Sequence, residues 1–200
     1  MQNTLTMRKT KIINIIGAPG CGKSTISGYL FSMLKIAGKS VEYAQEFAKT
    51  LVWKKEFDTL NNQMLVSKQQ YELLRSMTGS VDFIVTDGPI IHGIYYNRAN
   101  PDNVCNVEKV DEYILNRFNE FDNINIFLEH NPDITYEQEG RIQTEKEARE
   151  VGKELKNILD SYKIPYYVFK NGGIVELNRI FVWIITEFAN DGFPVAKNPT

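Results

Sequence analysis

The residues Gly17-Ala18-Pro19-Gly20-Cys21-Gly22-Lys23-Ser24 fit the pattern G-x-x-x-x-G-K-[ST], and that pattern has a definite chemistry. Its glycines let the backbone curl until successive N–H groups face one point, which suits a chain of phosphates. The lysine then reaches the β- and γ-phosphates, and the final hydroxyl binds magnesium. Thr25 follows, placed to contact the α-phosphate. Gly17 to Thr25 is therefore the candidate site for a nucleoside triphosphate, taken as ATP, with Lys23 as a catalytic group and Ser24 as a magnesium ligand.

Two carboxylates and an arginine complete the set. Asp87 follows an apolar run, Val81 to Thr86, and precedes Gly88-Pro89. At the carboxyl end of a buried strand it would face the phosphate loop, either holding magnesium or taking a proton from an acceptor. Glu46 closes Tyr43-Ala44-Gln45-Glu46 and is the second candidate, as base or hydroxyl ligand; a solvated glutamate opening the next helix is the plain alternative. Arg141 lies beside Gly140 in a polar stretch from Glu129 to Gln143. Connections of that length are often lids, and Arg141 would neutralise charge as the γ-phosphoryl group leaves. Arg149 sits among acidic neighbours and reads as a surface ion pair.

These groups need a scaffold that brings them to one edge. Lys11 to Ile16 is a short β-branched run that predicts a buried strand, and Ile26, Leu30, Phe31 and Leu34 recur at helical spacing behind the glycine loop. Val41 to Gln45, Val81 to Thr86, Ile124 to Leu128 and Pro165 to Phe169 predict four further strands. Between them lie helical stripes: Leu60 to Met77, Val107 to Phe121, and a helix opening at a Thr144 to Glu147 capping box; Leu177 to Phe188 is the last helix. Strands alternating with helices give an α/β fold, a mostly parallel five-stranded sheet covered on both faces, with ligands beyond the carboxyl ends of the strands. The expected organisation is one domain over residues 1–191, with the lid at 129–143 and a loose tail at 192–200.

The glycine loop, the Glu46 segment, the strand ending at Asp87 and the Gly140-Arg141 stretch together resemble the P-loop kinases that include ribosylnicotinamide kinases and deoxynucleoside kinases. Gly140-Arg141-Ile142-Gln143-Thr144-Glu145 is also similar to small bacteriophage kinase-like ATPases. The resemblance runs from about Lys11 to Phe169 and implies a kinase core: Lys23, Ser24, Asp87 and Arg141 on the triphosphate, Glu46 near the acceptor hydroxyl. Asp87-Gly88-Pro89 departs from the Glu-Arg or Asp-Arg pattern of those kinases, which leaves an arginine's role to be met elsewhere, with Arg98 as a candidate. For the acceptor, Trp53, Phe57, Gln63, Gln69, Gln70, Tyr71, Tyr95 and Tyr96 lie after the second and third strands, where aromatic faces and amides could hold a base. His92 could touch a phosphate or serve a turn.

Composition narrows the alternatives. The chain has 200 residues, is 42% hydrophobic and carries a net charge of -2, which suits a soluble chain with a sizeable core. No apolar run approaches the ~20 residues of a membrane span, so no membrane partner and a cytoplasmic address are expected. Cys21 and Cys105 have no metal-ligand spacing. A GTPase would show an Asn-Lys-x-Asp motif, which is missing, and an AAA-type motor would need a further helical domain. The first expectation is a kinase of a small nucleoside or nucleotide. A kinase acting on a hydroxyl of nucleic acid, or an ATPase without a small acceptor, stands behind it; the net charge argues against a basic groove.

Overall fold

A computed structural model describes residues 8–129, 131, 144–170 and 172–189. Its strands are β1 (Lys11–Gly17), β2 (Val41–Ala44), β3 (Phe83–Thr86), β4 (Asp122–Glu129) and β5 (Tyr167–Lys170). The helices are α1 (Lys23–Ile36), α2 (Phe47–Lys54), α3 (Phe57–Leu60), α4 (Gln63–Met77), α5 (His92–Ala99), α6 (Val107–Phe118), α7 (Glu145–Ser161) and α8 (Ile174–Phe188). The strands form one sheet in the order β2-β3-β1-β4-β5, and every pairing is parallel. The expected α/β architecture is therefore the observed one.

Alternation along β1 explains both faces of the sheet. Ile13 and Ile15 turn toward a core shared with Ile26, Leu30 and Leu34 of α1 and Ile180 and Ile184 of α8. Ile16 turns the other way, among Ile94, Ile114, Val151 and Leu155 of α5, α6 and α7, as the twofold period of a strand requires. Asn14 shares that second direction but is buried; its amide donates to Asn123 Oδ1 at 2.8 Å and Asn125 Oδ1 at 3.0 Å. A polar side chain can occupy the sheet because neighbouring strands supply its partners.

Several boundaries move for local reasons. The helix expected from Leu60 splits: Leu60 ends the single turn α3, and Asn62 caps a new start by accepting from Leu65 N at 3.0 Å. The last helix begins at Ile174, earlier than its apolar stripe suggests. The predicted capping box is present, with Thr144 N donating to Glu147 Oε2 at 2.7 Å. The short helices α2 and α5 were not legible as elements, and they flank the crevice.

The order of strands places that crevice. From β1 the chain steps over β3 to reach β2, then returns through β3 and crosses β1 to reach β4. The carboxyl ends of β1 and β3 lie at this reversal, where an open parallel sheet leaves room for a ligand. Both end in the loops that carry Lys23 and Asp87.

Candidate active site

Gly20 and Gly22 have φ values of 79° and 92°, a left-handed backbone that glycine adopts without a steric cost. They turn the chain from β1 directly into α1, so the loop ends at a helix N-terminus, a favourable place for an anion. Lys23 folds back across the loop, donating to Gly17 O at 3.0 Å and Ala18 O at 2.9 Å. Ser24 Oγ donates to Asp87 Oδ2 at 2.5 Å. A hydroxyl and a carboxylate side by side are the oxygen donors that a hard cation such as magnesium takes. Asp87 is only 2% exposed, so its oxygens are held by the fold and not by water.

Glu46 occupies the position before the first residue of α2, yet its carboxylate makes no capping bond. Asp87 Oδ1 accepts the Glu46 backbone N–H at 3.0 Å, and the glutamate side chain lines the cavity above the loop. It does open a helix, as the plain alternative held, but it is turned inward. Burial raises its pKa above the usual carboxylate range; Asp87 adds to this, while Lys23 and Lys49 oppose it. Gly88 packs directly on Glu46: a Cβ there would lie 2.5 Å from Glu46 Cα and 2.7 Å from its Cβ.

Two further residues belong to the site. Tyr43, on β2, lies near the Asp87 and Ser24 side chains; burial above all, then the Asp87 charge, pushes its phenol well above its ordinary range. It stays protonated beside the carboxylate. Sequence alone gave no sign of this, because Tyr43 reads as an ordinary strand residue. His92 opens α5, and its Nε2 accepts from Gly17 N at 3.4 Å. Burial, then the Lys23 charge, lowers its pKa well below 6.5, so the ring is neutral under the glycine loop.

A cavity of about 850 Å³ extends from the loop. Pro19, Gly20, Gly22, Lys23, Ser24 and Thr25 form its floor, while Gly17, Ala18 and Cys21 are buried and shape the loop without lining the cavity. Phe57, Gln63, Gln70, Tyr95 and Tyr96 line its upper walls, as expected. Three other acceptor candidates do not. Tyr71 is in the core, 4% exposed, with its hydroxyl donating to Glu120 Oε2; Trp53 and Gln69 point outward. Helical periodicity could not tell these faces apart, because α4 is wedged between cavity and core.

The arginines separate in the same way. Arg98 is turned from the cavity and held by Asp111 Oδ2 at 2.7 Å and Tyr162 Oη at 2.7 Å, so it does not fill the role left open by Gly88. Arg149 forms an exposed pair with Glu145 at 2.7 Å. Arg141 and nearly all of the 129–143 segment lie outside the described residues, as does the 192–200 tail. Among the described residues the cations lining the cavity are Lys23 and Lys49. No cluster of three or more His, Cys, Asp and Glu side chains suited to a metal occurs among them, and none of their helices is long and apolar enough to cross a membrane.

A family model described as an AAA domain matches residues 12–176. The chain belongs to this AAA-domain family. The matched span runs from β1 into the first turn of α8 and contains the whole described site. No curated protein matches by sequence. Among solved structures, NadR in complex with NAD and AMP-PNP superposes with a TM-score of 0.67 at 14% identity, covering 90% of this chain and 50% of that one. A deoxyadenosine kinase from M. mycoides, bound to dCMP and dCDP, superposes with a TM-score of 0.53 at 16% identity over 89% of this chain and 98% of that one. The chain thus spans half the length of NadR. At such identities the likeness is one of fold.

Proposed function

We propose that this protein uses ATP and magnesium to phosphorylate a hydroxyl on a small acceptor, most simply a nucleoside or nucleotide. The observation that carries the reading is Glu46: a carboxylate with a raised pKa in the wall of the same cavity whose floor holds Lys23 and Ser24. A phosphate acceptor is already anionic and needs cations, whereas a hydroxyl acceptor must lose a proton and is served by a nearby base.

The residues divide the work. Lys23 exchanges its contacts with Gly17 O and Ala18 O for the β- and γ-phosphate oxygens. Ser24 and Asp87 would hold magnesium, which when bound offsets phosphate charge, and the Tyr43 phenol beside Asp87 stays protonated. Glu46 takes the acceptor's proton as the acceptor oxygen bonds to the γ-phosphorus and the bond to the ADP oxygen breaks. Arg141, from the lid segment, is the candidate for stabilising the charge that develops there.

The test is labelled ATP with magnesium against nucleosides, nucleotides, ribosylnicotinamide and DNA oligomers, including hydroxymethylated ones. Label transfer to a small hydroxyl acceptor supports the reading. Transfer only to an oligomer moves the acceptor to nucleic acid, and acceptor-independent release of phosphate overturns the kinase assignment.

A further inference from the structure

Gln70 is 5% exposed, and both ends of its amide are spent on the backbone around Glu46. Its Oε1 accepts from Phe47 N at 2.9 Å and its Nε2 donates to Gln45 O at 3.4 Å. These are the residues on either side of Glu46. Phe47 is the first residue of α2, whose early N–H groups have no partner inside the helix; the bond from α4 supplies one. Gly88 in turn lies against Glu46 Cα and Cβ at separations that leave no space for a methyl group, and Asp87 takes the Glu46 N–H.

We infer that Gln70 and Gly88 are positioning residues that clamp the Glu46 peptide, one through its flanking backbone groups and the other against its Cα and Cβ, and aim its carboxylate into the cavity, in place of reading the acceptor themselves. The inference rests on the proposed role of Glu46 as base. It reassigns Gln70, whose place in the cavity wall suggests a base-reading amide, because both ends of that amide already bond the backbone beside Glu46. It also gives Gly88 a reason: the position that carries arginine in the kinases this sequence resembles must here be small enough to seat Glu46. The clamp joins α4, which walls the acceptor space through Gln63 and Val66, to the β2–α2 turn that carries the carboxylate. The helix that contacts the acceptor is thereby fastened to the group that would deprotonate it.

The experiment is a double-mutant cycle in the full chain: wild type, Gln70→Met, Glu46→Gln and the double variant, with kcat and acceptor KM measured for each. Gln70→Met keeps the volume and removes both amide contacts. It should lower kcat by ~10-fold to ~100-fold, the scale of an ångström misplacement of a reacting group, with acceptor KM changed less than about twofold. In the Glu46→Gln background it should have no further effect on kcat. Gly88→Ala should reproduce the kcat loss by crowding Glu46 directly, and serves if Gln70→Met does not fold. Amide exchange at Phe47 should accelerate in Gln70→Met, a readout independent of turnover. Additive losses in the cycle, or a raised KM with kcat intact, would overturn the clamp while leaving Glu46 as base. If Glu46→Gln alone retains full kcat, the proposed base itself is wrong and the clamp has no catalytic consequence.

Discussion

The Glu46 backbone N–H donates to Asp87 Oδ1 at 3.0 Å while Ser24 donates to the other oxygen of the same carboxylate. One buried aspartate thus links the phosphate loop, after β1, to the carboxylate that follows β2. The strands bearing Asp87 and Glu46 are direct neighbours, with Ala44 opposite Thr86, so the link is set by sheet register. Changes at Asp87 should therefore disturb the proposed metal site and the proposed acceptor side together, and changes at Glu46 only the latter.

Asp87→Asn is expected to weaken magnesium-dependent turnover even at saturating acceptor. Glu46→Gln should lower turnover with little change in triphosphate affinity. Magnesium titrations of kcat beside nucleotide-binding isotherms distinguish the two defects. Weakened ATP binding with intact turnover in Glu46→Gln would remove Glu46 from the acceptor side.

Glu46 also makes a pH prediction. Its folded carboxyl holds a proton above 4.5, where the unfolded chain releases it. Its contribution to stability is then full below 4.5 and is lost as pH rises through the folded value. Glu46→Gln should accordingly melt higher than wild type at neutral pH, with the difference vanishing in acid. Activity runs the opposite way, since kcat/KM should rise as Glu46 ionises and the variant should lack that limb. Equal melting temperatures at neutral pH would contradict the burial of the charge.

His92 has the opposite sign. The unfolded chain takes up a proton below 6.5, but the buried ring does not. Stability should be full above that value and decline as pH falls toward the lower folded one. His92→Gln should flatten this part of the curve in denaturant melts between roughly pH 7 and pH 5. An unchanged slope would mean that the ring does not stay neutral under the loop.

Lys23→Ala should abolish productive triphosphate use, because backbone N–H groups cannot replace the charge at the β- and γ-phosphates. Circular dichroism should be unchanged, since the lysine contacts only loop carbonyls. Near-normal turnover would refute its role.

Arg98 and Arg141 should behave differently. Removing Arg98 leaves Asp111, 7% exposed, with the Asn97 amide as a remaining partner. Arg98→Ala should cost about 1 kcal/mol of stability, at the low end for a charged hydrogen bond because the arginine is itself partly exposed, and spare phosphoryl transfer. Arg141→Ala should cost roughly 100-fold or more in turnover with far less effect on nucleotide binding, and lysine should rescue poorly. Denaturant melts and single-turnover transfer on both variants provide the comparison; unaffected transfer in Arg141→Ala would end the lid assignment.

The sequence by itself determined the sheet, the glycine loop and the two carboxylates, because each rests on local rules. A β-branched run ending at Gly17, helical stripes, and a carboxylate directly after a buried strand are all written in neighbouring residues. Sequence could not decide which way a side chain faces when its helix has two buried sides. Tyr71 and Gln70 are adjacent on α4, yet one enters the core and the other grips the Glu46 peptide. Nor could it place Arg98 or His92, whose partners are Asp111 and Gly17, or set Tyr43 near Asp87. The packing of α5 on α6 makes the first of these pairings, and the order β2-β3-β1-β4-β5 with its parallel register sets β2 beside the strand that ends at Asp87.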